Sequence, residues 1–159
     1  MKSIRATVVA IVAASFGVCA SATECTKLDE YAALAIAGYL DSWNNVFLAY
    51  REFRQCDDGA IAEGYSEMVA RLLVDHWSRL SELQNLIAKD RDFEPFVLKR
   101  VNATLDPKDI EKLKHLVKTN CPRTSRVLCT KLLERAEAAA RHRRSCVSHG
   151  PFLVVLHGR

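Results

Sequence analysis

The sequence predicts an all-α fold, a single compact bundle of about five helices behind a cleaved signal peptide. Three observations carry that prediction. Apolar residues recur at steps of three and four through most of the span from residue 28 to residue 140. Alternating, strand-type runs are absent from that span. The stretches between helical segments are short and hold capping or breaking residues, an arrangement that favours antiparallel neighbours.

The chain divides into residues 1–22, 23–140 and 141–159. In the first part, Lys2 and Arg5 precede the apolar run Val8–Val18, and Ala20-Ser21-Ala22 offers small residues for a signal peptidase. The run is shorter than the roughly 20 residues of a membrane span, and no later stretch is longer, so no transmembrane segment is expected in the mature chain. Cys19 is a poor lipidation site, because Phe16-Gly17-Val18 lacks the small residue expected just before such a cysteine. The expected location is the periplasm or the exterior of a bacterial cell.

Within 23–140, residues 28–54 read as a first helix whose inward face holds Tyr39, Trp43, Val46, Phe47, Tyr50 and Phe53. Gly38 followed by Asp41-Ser42 allows a break and a fresh start, which makes this one helix or two. Residues 56–90 read as one long helix. Ile61, Tyr65, Met68, Val69, Leu72, Leu73, His76, Leu80, Leu83 and Ile87 form its stripe, with Arg71, Asp75, Arg79 and Glu82 opposite. Asp57 or Asp58 caps its first amides. Glu67–Arg71 and Asp75–Arg79 have the spacing of ion pairs one turn apart. FEPFVLKRVNATL gives a third helix, burying Phe93, Phe96, Val97 and Val101, with Pro95 tolerated in the first turn. Asp106-Pro107 opens a fourth with Ile110, Leu113, Leu116 and Val117 inward, and Asn120-Cys121-Pro122 ends it. Thr124 or Ser125 opens a fifth that buries Val127, Leu128, Leu132 and Ala136 and ends near Arg141. The remainder, 141–159, is a basic, flexible tail whose only strand-like piece is Phe152–Leu156.

Charge and cysteines bound the function. All 19 acidic residues lie between Glu24 and Glu137, with 17 of the 23 basic ones, so the body is mildly acidic and no nucleic-acid surface is expected. Six cysteines suit an oxidising compartment. Setting aside Cys19, and Cys146 as the odd one in the tail, leaves Cys25, Cys56, Cys121 and Cys129, which allow three pairings. Cys121–Cys129 brackets a short loop and is the favoured bridge. Cys25–Cys56 would end roughly 45 Å apart on one straight helix, against the roughly 7 Å a bridge allows; that pair therefore needs a break at Gly38. None of the spacings is a zinc pattern, and neither a metal nor a cofactor is expected.

The most chemical-looking group is Asp57, Asp58, Glu63 and His76. Glu63 and His76 are roughly 20 Å apart along one helix and cannot share a metal's ligand shell. Asp57-Asp58-Gly59 lacks the alternating ligands of a calcium loop. Ser66 is not in a nucleophile elbow, and no glycine-rich phosphate cradle occurs. No catalytic residue is expected. His76, beside Trp77, reads as a half-buried histidine on the apolar stripe.

In size, compartment and architecture the chain resembles periplasmic immunity proteins that neutralise toxins delivered by rival bacteria. The resemblance implies a non-enzymatic inhibitor acting through contact with a protein partner. The end of the second helix, with Asp57, Asp58 and Tyr65 exposed, is the first expected contact surface, and His76 and Trp77 complete the set of contact residues. A different class of function, a small-ligand binder or enzyme, would need a pocket between the first two helices lined by Trp43, Tyr50, His76 and Trp77.

Overall fold

Seven helices, not about five, make up the described part of an all-α chain. A computed structural model describes residues 24–148, with side chains through Arg144. The helices are α1 Lys27–Ala37, α2 Trp43–Phe53, α3 Gly59–Asp75, α4 Leu80–Lys89, α5 Phe93–Arg100, α6 Pro107–Asn120 and α7 Arg126–Ser148. Single 3₁₀ turns at Arg54–Cys56, Trp77–Arg79 and Arg123–Ser125 join some of them, and no strand occurs among the described residues. The expected signal peptide, Cys19 and the Phe152–Leu156 run lie outside the described residues.

The extra helices come from breaks in the two longest expected ones. After α1 the chain turns at Gly38, and the Ser42 hydroxyl accepts from the Asn45 amide to start α2, as a fresh cap would. The second break is less visible in sequence, since no Gly or Pro marks it. His76 leaves helical geometry (φ −123°, ψ 37°) and the next residues form a 3₁₀ turn. The break turns Trp77 inward, where its indole N–H donates to the Asn120 carbonyl at 2.9 Å at the end of α6. Tertiary burial of one large ring thus overrides a stripe that local spacing alone would have continued. One consequence concerns the ion pairs. Glu67–Arg71 forms at 3.2 Å, but Asp75 pairs with Arg71 and Lys112, while Arg79 turns to Glu82.

α5 ends at Arg100, short of the expected residue 105. α7 continues past Arg141 to Ser148, so the expected domain boundary falls inside a helix. The side chain of Cys146 lies outside the described residues.

α3 is the central element, touching α1 and α2 on one side and α5 and α6 on others, and α7 folds back along α6. Phe47, Tyr50, Phe93 and Phe96 form a ring cluster between α2 and α5, with centroids 4.8–6.3 Å apart, the geometry favoured by aromatic quadrupoles. Between α3 and α6, Arg71 pairs with Asp109 and Lys112 with Asp75. The ammonium of Lys112, hydrogen-bonded to Asp75, holds that carboxyl below its ordinary range.

The favoured bridge and the pairing that needed a break at Gly38 are both at bonding distance. Cys121 and Cys129 close the loop between α6 and α7, and Cys25 bonds Cys56. The second pairing is possible because α1 and α2 fold back on each other at Gly38, which removes the separation a straight helix would impose.

Candidate functional site

α1 meets the rest of the bundle through small residues, Ala33 and Ala37. The Thr26 hydroxyl accepts from the Asp29 amide while the Asp29 carboxylate accepts from the Thr26 amide, so the first turn is fixed from both directions. Cys25, one residue earlier, ties this start to Cys56. Inward, α1 buries Ala33 and lays Ala37 against Gly64 of α3, where an added Cβ would come within 3.1 Å of the Ala37 Cβ. Such small contacts let two helices approach closely.

Three large residues of α1 face outward, while Ile36 packs partly against the core. Leu28 is 78% exposed, Tyr31 72% and Leu34 42%; in the next elements Tyr39 is 76% and Leu48 56% exposed. Single exposed apolar residues are ordinary, but this set is concentrated on two consecutive helices and their connection. On one flank of α1 a cleft of about 450 Å³ opens against α2, lined by apolar Ile36, Tyr39, Leu48 and Phe53, with Asn45 and Glu52 as polar members. On the other flank a second cleft, about 370 Å³, holds Leu34 and Glu30 beside the Cys25–Cys56 bridge, Asp58 and Ile61. At ~100° per residue, Leu28 and Tyr31 fall on the ridge between the two clefts. Residues 24–58, which carry this surface, hold seven acids against three bases.

Several expected site residues sit elsewhere. Asp58 is exposed and caps α3. Asp57 turns inward and pairs with Arg100, whose side chain is 2% exposed. Tyr65 is fully buried beside that pair, so the expected exposed end with Asp57, Asp58 and Tyr65 does not exist as a surface. Arg100 also donates to the Ala62 carbonyl at 3.3 Å and lies 4.2 Å over the Phe96 ring and 5.8 Å from that of Tyr65. His76 is exposed at the end of α3 rather than set in the stripe, and Trp77 is buried. Of the residues expected to line a pocket between the first (28–54) and second (56–90) expected helices, Trp43, Tyr50 and Trp77 are buried in the core and His76 is exposed; the cleft of about 450 Å³ lies instead between α1 and α2, the two halves of the first of those stretches.

Burial pushes the Tyr65 phenol up to about 12, and the Asp57 carboxylate adds to the effect. The raised value fixes a sign. The folded state prefers the neutral phenol, so this contribution to stability is complete below the unfolded value near 10 and is lost as pH rises through about 12. Urea unfolding followed between these limits should show a decline that Tyr65→Phe removes. An unchanged pH slope in that variant would contradict the assignment.

A small, two-bridge, all-α domain with an apolar face on α1 and α2 is the class that fold and surface define. No family model matches the chain, and no curated protein or solved structure matches it either. Among the described residues no helix is long and apolar enough to cross a membrane, and no three His, Cys, Asp or Glu side chains are placed to hold a metal ion.

Proposed function

We propose that this is an exported helical protein that acts without catalysis, by binding another protein across the α1–α2 face. An immunity-like inhibitor of a toxin is its most concrete form. The observation that carries the reading is the orientation of α1, with Ala33 buried, Ala37 against Gly64, and Leu28, Tyr31 and Leu34 outside. Covering each such side chain is worth about 1.5–3 kcal/mol, and tyrosine is among the residues that dominate interface energetics. The two bridges support an oxidising location. The partner this face fits is a protein with apolar anchors inside a basic rim, because the acids of residues 24–58 would attract it. The same acids repel an anionic lipid surface, which argues for protein rather than membrane at this face.

Affinity capture at native expression levels tests the proposal. A stoichiometric partner should be recovered with the parent chain and lost, by a hundredfold or more in affinity, with Leu28→Asp/Leu34→Asp. That variant should melt within a few degrees of the parent, since both side chains are exposed at their positions.

The α1–α2 cleft favours one second reading, a small apolar ligand held between Tyr39, Leu48 and Phe53. Leu48→Trp, which fills the cleft and leaves the ridge intact, separates the two. Loss of function in that variant alone would make the site a ligand pocket.

A further inference from the structure

The cleft between α1 and α2 offers one kind of polar contact only. Its α2 wall is a single stripe, Asn45, Leu48, Ala49, Glu52 and Phe53, which spans about 140° of the helix surface. The Asn45 amide nitrogen donates to the Tyr39 carbonyl at 3.4 Å and to the Asp41 carboxylate at 2.9 Å. Both of its hydrogens are therefore used, and what Asn45 has left is an acceptor oxygen. Glu52 is exposed, and its carboxylate makes no hydrogen bond or ion pair among the described residues. α1 ends at Ala37, between the lining residues Ile36 and Tyr39, with no basic residue in its last turn. The negative end of its dipole is thus not offset at the cleft.

The basic residues of these elements are directed elsewhere. Arg51 lies about 130° round α2 from the middle of the stripe. Arg54 is drawn to the Tyr50 ring, 5.9 Å from its centroid, and Lys27 pairs with Glu30. A cleft of acceptors in apolar walls selects an occupant with a positive, donor-bearing end on an apolar stem. It repels anions, and an occupant without donors would cover the Glu52 carboxylate unpaired. Two rings, Tyr39 and Phe53, stand in the same walls. A planar guanidinium stacks on a ring while forking onto a carboxylate, which a lysine ammonium cannot do. The interior of this protein holds one such arrangement: Arg100 pairs with Asp57 and lies 4.2 Å over the Phe96 ring, with the Tyr65 ring 5.8 Å away.

We propose that the α1–α2 cleft receives an arginine side chain of the partner protein, with its stem against Leu48 and Phe53 and its guanidinium on Glu52. The assignment rests on the protein-binding reading of this face and adds the identity of one anchor to it.

The test is an NMR titration of protein expressed from the full-length sequence with N-acetylarginine methylamide, and with the neutral citrulline analogue as control. The arginine probe should shift the signals of Tyr39, Leu48 and Phe53 saturably and bind about tenfold tighter than the citrulline probe. Its binding should weaken as salt rises from about 0.05 to 0.5 M. Glu52→Gln should abolish the preference and, because the position is exposed, keep the parent's helical circular dichroism. In affinity capture, Glu52→Gln should weaken recovery of the partner by about tenfold, and Leu48→Trp should weaken it along with Leu28→Asp/Leu34→Asp. Equal shifts from both probes, no shift at the cleft, or an arginine preference that survives Glu52→Gln would overturn the proposal. So would n-octanol displacing the arginine probe and binding Glu52→Gln as well as the parent, which would make the cleft an apolar-ligand pocket. A partner captured equally by the parent and by Glu52→Gln would overturn the arginine anchor and leave the protein-binding reading standing. Specific binding of the probe with no partner recoverable would instead overturn that reading, and the partner's arginine with it, and give the cleft to free guanidinium compounds.

Discussion

Arg100→Met should destabilise the protein by about 3–5 kcal/mol, seen as a fall of roughly 10–20 °C in melting temperature. The reason is the state it leaves behind. Asp57 is 13% exposed and its buried partner is the Arg100 guanidinium, so removing the cation strands a carboxylate in the interior. Lys99 also reaches Asp57, at 3.2 Å, but from a largely exposed position where water screens it. Asp57→Asn should cost a comparable amount by stranding the guanidinium between Phe96 and Tyr65. Asp57→Leu/Arg100→Met, which removes both charges, should recover most of the loss, because a buried pair contributes little net stability beyond an apolar pair of similar volume. A double variant as unstable as the sum of the singles would show that the guanidinium acts through its ring and carbonyl contacts, not through Asp57.

The second large effect belongs to the bridge that holds α1. Cys25→Ser/Cys56→Ser should lose about 3–4 kcal/mol, since the bond closes a separation of 31 residues. The equivalent loss for Cys121→Ser/Cys129→Ser should be about 2.5 kcal/mol, because that separation is 8. The two differ in kind as well. α1 buries only Ala33 fully, so without its tether it should exchange amide hydrogens far faster than α3 in native conditions. Urea unfolding measures the first difference and hydrogen exchange resolved by helix measures the second. Slow exchange through α1 in the Cys25/Cys56 variant would mean that its alanine contacts suffice to hold it.

The sequence made the fold class legible wherever local chemistry and tertiary packing agreed. Ser42, Asp58 and Asp106 cap helices at the expected places, and the Cys121–Cys129 loop follows from its length. Agreement failed at three places, each for a physical reason. At His76 the stripe continues in sequence but the chain breaks, because burying Trp77 against the end of α6 outweighs one more turn of α-helix. Arg100 is not among the residues expected inward (Phe93, Phe96, Val97 and Val101), although it lies four residues after Phe96 and three after Val97, on the buried face of α5. Counting it as a member of that face would have exposed the need for a carboxylate, which Asp57 meets. At the first expected helix Tyr39 reads as inward, whereas it is 76% exposed and α1 turns Ala33 and Ala37 toward the core. No rule of spacing tells a helix whose small residues face inward from one whose large ones do; only the close approach at Gly64 decides it.

Site-specific photo-crosslinking tests the claim on the α1–α2 face most directly. A benzophenone amino acid placed at Tyr31, 72% exposed on the ridge of α1, should form one dominant adduct with a different protein in intact cells. The adduct should vanish when Leu28→Asp/Leu34→Asp is present, and the same probe at Thr119, exposed on α6, should not form it. No adduct from Tyr31, or the same adduct from Thr119, would contradict the assignment of this face as the contact surface.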